Sequence, residues 1–181
     1  MTEPTSRVLG LDPGSRVLGY AVVDLLGRGR FVYRECGAIT TRASAPITER
    51  LLEIATELRE VIREYHPTVV AMEDVFHSRN ARSALVLGQA RGAALLIAAE
   101  HGLEVSSYPP ATVKRTVCGN GRAAKEQVQQ MVAALARLKR PPAVDAADAL
   151  AVAICHCLQA GAGSRAALAR ARGGPVKGAP K

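Results

Sequence analysis

The stretch Arg7-Val-Leu-Gly-Leu-Asp12-Pro-Gly-Ser15 decides how this chain is read. A short apolar run stops at a carboxylate, and Pro13-Gly14, a strong turn signal, follows at once. A second apolar run, residues 17–26, comes directly after, so the pattern predicts strand, tight turn, strand. Asp12 then stands at the end of a buried strand, where its charge needs water, a hydrogen-bond donor or a cation. Taken alone, an Asp-Pro-Gly turn is more often a cap than a site, because Asp serves turns commonly. Carboxylates of the same character further along the chain reverse that reading.

Working outward, residues 8–11, 17–26 and 30–40 form an antiparallel meander, with Gly27 and Gly29 breaking the second strand from the third. Pro46 suits the first turn of a helix. Ile47, Leu51, Ile54, Leu58 and Val61 then recur at helical spacing up to His66-Pro67. Residues 68–72 read as a buried strand ending in Glu73-Asp74. Residues 80–101 form a helix whose face of Ser83, Leu87, Ala90 and Ala94 is small enough for close approach by another helix. A short strand (105–108), a short helix (112–117), a Gly119-Asn-Gly121 loop and a helix over 123–138 follow. That helix turns Val128, Met131, Val132 and Leu135 inward. Pro141-Pro142 breaks it, and the last helix covers 145–159. The order predicts an α/β fold, a central mixed five-stranded sheet flanked by helices. The domain spans residues 7–160, with a disordered N-terminus (1–6) and a basic, disordered tail (161–181).

With 181 residues, one domain is expected, and 48% hydrophobic residues suffice for a core. No apolar run reaches a membrane span and the first residues do not form a signal peptide, so a soluble cytoplasmic protein with no membrane association is expected. The four cysteines show no paired framework. Cys155-His156-Cys157 resembles a metal cluster, yet residues two apart on a helix diverge. The net charge of +8 is uneven. Residues 1–74 carry 9 basic and 11 acidic side chains, and residues 75–140 carry 10 and 3. Residues 161–181 add 5 basic and no acidic ones. An acidic half meets a basic half, which suits either a polyanion partner or a solvated surface.

Asp12, Glu73 and the pair Asp145/Asp148 each stand at the end of a regular element. In an extended strand Val69, Ala71 and Glu73 share one face, and Asp74 points to the other. Asp145 and Asp148 are neighbours on one helical face. They also sit in the first turn, where the helix dipole favours negative charge, and that alone could explain them. The small residues around them, Asp145-Ala-Ala-Asp148-Ala-Leu-Ala, let the helix lie close to the sheet. Four carboxylates brought together repel one another unless a cation intervenes. Hard oxygen donors suit Mg²⁺ or Mn²⁺ rather than Zn²⁺. Two such ions about 4 Å apart serve phosphodiester hydrolysis.

Five stretches together resemble the RuvC-type Holliday junction resolvases, which have the RNase H-like fold. They are residues 9–20, Met72-Glu-Asp-Val-Phe76, Leu87-Gly-Gln-Ala-Arg-Gly92, Val113-Lys-Arg-Thr-Val117 and Asp145-Ala-Ala-Asp-Ala-Leu-Ala151. The resemblance covers residues 7 to 160 and leaves the basic tail outside. It implies that Asp12, Glu73, Asp145 and Asp148 are the catalytic, metal-holding acids. It also implies Mg²⁺-dependent cutting of four-way DNA junctions by a homodimer, in paired nicks leaving 5′-phosphate and 3′-hydroxyl ends, alongside the RuvA–RuvB branch-migration complex. Phe76 falls where an aromatic stacks on a base at the opened junction, although Phe is ordinarily a core residue. Lys114 and Lys125 match basic positions near the scissile strand, against the alternative of solvated surface lysines. Arg79 and Arg82 are weaker candidates for phosphate contact. His156 reads as packing or surface. The competing readings are an actin-like ATPase, which needs two such domains, an RNase H-like nuclease acting on RNA, and a non-catalytic junction-binding protein.

Overall fold

The computed structural model describes residues 3–27, 29–74 and 81–172. Phe76 and Arg79 lie outside the described residues. The chain forms β1 (Ser6–Asp12), β2 (Val17–Leu25), β3 (Phe31–Thr40), α1 (Ile47–Tyr65), β4 (Val69–Glu73) and α2 (Ala81–Glu100). It continues with β5 (Glu104–Tyr108), α3 (Pro110–Cys118), α4 (Lys125–Leu135) and α5 (Val144–Arg172). The sheet order is β3-β2-β1-β4-β5. The first three strands pair antiparallel, whereas β4 and β5 join parallel to β1. This is the mixed five-stranded sheet expected from the sequence.

Strand alternation divides the core. Leu9, Leu11, Leu18, Val22, Val70 and Met72 pack with Ile54, Leu58 and Ile97 of α1 and α2. Val8, Ala21, Val23, Val69 and Ala71 pack on the other face with Leu150 and Ile154 of α5 and with α3 and α4. Residues of one strand that share parity share a face, so Asp12 follows Val8 and Gly10 onto the α5 side, and Glu73 follows Val69 and Ala71 there. Asp24, fully buried, is held by Arg7 at 2.7 Å and Arg34 at 2.6 Å.

Several sequence expectations need correction. Order begins before residue 7: Ser6 lies in β1, and Thr5 N–H donates to Leu25 O at 2.8 Å, extending the β1–β2 ladder. The residues after Gly161 do not start a structureless tail, because α5 runs on to Arg172. The Ala, Leu and Arg content of that stretch favours helix even without a hydrophobic period. Residues 173–181 are not described. Pro46 caps α1 from outside instead of entering its first turn. Helix α4 is shorter than expected, and its last residue, Leu135, is 38% exposed. Arg137, with φ 57°, turns the chain away just beyond it.

Two helices, Ala81–Glu100 and Val144–Gly161, are in fact long and apolar enough to cross a bilayer by length and composition. Alanine content brings them to that threshold. The second is the core helix, covered on most sides by the sheet, α3 and α4. The first packs one face, Ala90, Ala94, Ile97 and Ala98, against α1 and the sheet.

Candidate active site

Two glycines bring the acids together. A Cβ built on Gly10 would lie 2.3 Å from Ala149 O, and one on Gly19 would lie 2.0 Å from Asp145 O. No side chain larger than hydrogen fits at either position, so the α5 backbone rests directly on β1 and β2. Asp145 and Asp148, in the first turns of α5, are thereby carried to the end of β1 where Asp12 sits. Glu73 arrives from the parallel neighbour, β4, whose Met72 is in register with Leu11.

The electrostatics register this convergence. Burial pushes the Asp12 carboxyl up to about 6, helped by the negative charges of Asp148 and Asp145 and opposed by Lys125. Burial pushes Glu73 up to about 7, with Asp12 and Asp148 adding to the rise and Lys114 and Lys125 opposing it. Lys125 Nζ donates to Asp148 Oδ2 at 3.2 Å, and its own pKa is raised chiefly by the Asp148 charge. Four acids from three distant segments therefore share one field, with two lysines at its edge. Asp74 is separate, as strand parity requires: its carboxylate faces Arg91 at 3.6 Å.

Among the described residues, no three Asp, Glu, His or Cys side chains already form a closed ligand set. Mutual repulsion keeps like charges spread, and Lys125 partly takes the part of a cation. The donor set itself, hard carboxylate oxygens, with Asp12 and Glu73 held above their ordinary pKa by burial and neighbouring charge, fits a divalent ion of the Mg²⁺ or Mn²⁺ type. The Cys155-His156-Cys157 segment takes no part. Both thiols are buried in the α5 core, and His156 Nδ1 is 2.8 Å from the Tyr108 hydroxyl.

The structure also places residues that sequence reading passed over. Arg91 Nη1 donates to Glu73 O at 2.6 Å, and Nη2 donates to Ser107 Oγ at 2.8 Å. Arg91 thus pins the ends of β4 and β5, and with them the Glu73 backbone. Arg50 Nε donates to Ser15 O at 2.9 Å and braces the turn after Asp12. Arg91 falls inside the Leu87-Gly-Gln-Ala-Arg-Gly92 stretch that carries the resemblance, but that stretch does not say which backbone it grips.

The profile of the family described as crossover junction endodeoxyribonuclease RuvC matches residues 8–156. The chain belongs to the RuvC family. A RuvC of Citrifermentans bemidjiense is 51% identical over 154 residues, covering 85% of this chain and 93% of that relative. One from Pseudomonas fluorescens (strain Pf-5) is 48% identical over 176 residues, covering 94% and 98%. The structure of T. thermophilus RuvC in complex with a Holliday junction substrate matches with a TM-score of 0.81 at 36% identity, over 88% of this chain and 97% of that one. The RNase H-like resolvase fold and an endonuclease identity follow. RuvC enzymes are hydrolases that need a divalent metal.

Proposed function

We propose that this protein resolves four-way DNA junctions by paired, symmetric hydrolysis of phosphodiesters, with Asp12, Glu73, Asp145 and Asp148 as the catalytic acids. The observation that carries the reading is their convergence on the α5 face of the sheet, with Asp12 and Glu73 raised to about 6 and about 7. Groups held in such a state accept a divalent cation in place of protons. These four carboxylates would hold it, and when bound a pair of Mg²⁺ ions supplies activation of water and stabilisation of the leaving oxygen. Water adds to phosphorus, the bond to the 3′ oxygen breaks, and 5′-phosphate and 3′-hydroxyl ends result. Lys114 and Lys125, beside Glu73 and Asp148, meet the anionic strand, and Arg82 adds a further basic group at the start of α2. Phe76 and Arg79 retain the roles the resemblance implies, stacking on a base and contacting a phosphate.

Paired nicking requires two active sites, and one face of α2 supports a homodimer. Leu85 and Leu96 are 64% and 60% exposed. They fall on the same side of the helix as Gly88 and Gly92, over which the space is open. That side is opposite the Ala90, Ala94 and Ala98 face that packs inward. Exposed leucines flanking glycines allow a second copy of α2 to approach closely. Work beside a RuvA–RuvB complex in the bacterial cytoplasm follows the family resemblance.

The test is a cleavage assay with labelled four-way junction, linear duplex and RNA–DNA hybrid, with and without Mg²⁺. Symmetric nicks in the junction alone, dependent on the metal, are expected. Preferred cutting of the hybrid would transfer the protein to an RNA-directed activity. Binding without cutting under all conditions would make it a non-catalytic junction binder.

A further inference from the structure

We propose that the cleft between the β1–β2 turn and the starts of α1 and α2 is a phosphate subsite. There Arg16, Arg50 and Arg82 hold the backbone of the cut strand beside the scissile bond. The inference rests on the nuclease reading above and names where the strand goes next.

The cleft has a volume of about 720 Å³ and is lined by Gly14, Ser15, Arg16, Arg50, Arg82 and Asp145, with Val86 and Leu87 forming an apolar wall. That is more room than a lone ion needs and is in the range of sites that take a small organic ligand. Three arginines and one aspartate line it, and that aspartate, Asp145, is one of the four catalytic candidates. The cleft is therefore continuous with the site.

The arginines are free to act. Arg7, Arg34, Arg42, Arg59, Arg63 and Arg91 each pair with a carboxylate. Arg16, Arg50 and Arg82 form no ion pair among the described residues. Arg50 is pre-oriented by its bonds to Ser15 O and Ser15 Oγ, which leave further N–H groups over for a ligand. A planar guanidinium fork matches phosphate geometry better than an ammonium does, and the apolar wall strengthens its field.

Position gives the cleft a direction. In the sheet, β2 lies on one side of β1, while β4 and β5 lie on the other. Asp145 sits over Gly19 of β2 and borders the arginine cleft. Asp148, one turn along α5, meets Lys125, and Lys114 follows β5 on the far side. The carboxylates thus lie between three arginines and two lysines. A polyanionic strand that spans both cationic groups must cross the acids. The lysines hold one flank of the scissile phosphate, and the arginine cleft holds the other.

The experiment uses the full chain and a synthetic four-way junction, with binding measured in Ca²⁺ across a salt series. Arg16→Ala/Arg82→Ala removes two exposed side chains, and Arg50→Lys keeps the charge while removing the fork. The double variant is expected to bind about tenfold more weakly, with the log K against log salt slope flatter by about one unit. A scan then replaces single phosphates near the cut with neutral methylphosphonates. One position should weaken the unsubstituted protein as the double variant does and add no further loss in that variant. An unchanged salt slope overturns the proposal, as does a methylphosphonate penalty that is the same in both proteins at every position. A shift in dimerisation with DNA binding intact, seen by sedimentation, also overturns it and makes the cleft a subunit contact. If the unsubstituted protein bound junctions but failed to cut them in Mg²⁺, the nuclease reading would fail, while the salt series and scan would still decide the cleft.

Discussion

Gly19 and Asp145 touch backbone to backbone: a Cβ on Gly19 would stand 2.0 Å from the Asp145 carbonyl oxygen. This contact sets the height of α5 above the sheet, and hence the distance from Asp145 and Asp148 to Asp12. Gly19→Ala must lift the helix start. Overpacking of this kind costs about 1–3 kcal/mol, or ~2–4 °C in Tm for each kcal/mol in a chain of this size. The larger effect is expected on chemistry, because positioning is lost where the acids meet. Calorimetry with parallel junction-binding and cleavage assays checks this. Cleavage reduced no more than binding would mean that the contact does not govern the site.

Neutralising an acid should stabilise the metal-free protein while abolishing its chemistry. Asp12 and Glu73 have raised pKa values in the fold, so above about pH 4 the unfolded chain binds fewer protons than the folded one. Stability therefore falls as pH rises from the unfolded values, near 4, through about 6 and 7. Asp12→Asn removes one such group, and in EDTA at pH 8 its Tm should exceed that of the unsubstituted protein by a few degrees (~2–4 °C per kcal/mol). At pH 4 the difference should vanish. The same variant should bind junction DNA and lose cleavage by about 100-fold or more, as expected when a metal site is damaged. Normal cleavage by Asp12→Asn would remove its assigned role.

Protons and metal compete for the same carboxylates. At low Mg²⁺, cleavage should rise with pH through a midpoint near 7, the Glu73 value. Higher Mg²⁺ should move that midpoint downward, because the cation displaces the proton. A pH profile measured at two Mg²⁺ concentrations is sufficient. A midpoint indifferent to Mg²⁺ would point to a titrating group outside the site.

Arg91 acts on Glu73 through the backbone, by donating to its carbonyl at 2.6 Å while holding Ser107. Arg91→Gln should lower kcat with little change in junction affinity, and Arg91→Lys should recover only part of the loss, since an ammonium lacks the fork. Equal loss of affinity and turnover would assign Arg91 to DNA contact instead.

The carboxylates were legible because strand parity and the i, i+3 helical relation are local rules. Val69, Ala71 and Glu73 had to share a face, and Asp145 and Asp148 had to be neighbours. The small residues around those two acids announced a close helix, but its contact points, Gly10 and Gly19, were not apparent. A glycine in a strand does not reveal what it is making room for. Arg91 and Arg50 were hidden for a related reason: each bonds a backbone carbonyl distant in sequence, and a carbonyl carries no residue identity to read. The end of α5 was misjudged because its Ala-Arg stretch lacks a hydrophobic period yet has strong helix propensity. The burial expected for Leu135 assumed that helical spacing continued to residue 138, whereas the chain turns away at Arg137.

The outward side of α2 supplies the last prediction. Leu85 and Leu96 project there, with Gly88 and Gly92 between them, while Ala90, Ala94 and Ala98 hold the opposite side to the core. Placing a charge on each leucine, Leu85→Glu/Leu96→Glu, leaves the inward packing untouched and makes burial against a second copy unfavourable. The dissociation constant of the proposed homodimer should rise by about 100-fold or more, the effect of losing an interface hot spot. Each monomer keeps a complete set of four acids, so single cuts should persist. On a supercoiled plasmid bearing a cruciform, paired cutting linearises the circle, whereas uncoupled cutting leaves it nicked. The variant should shift products from linear to nicked circle, in step with its dissociation in sedimentation equilibrium. If it remained dimeric and still linearised the plasmid, the interface would have to lie on another face of the protein.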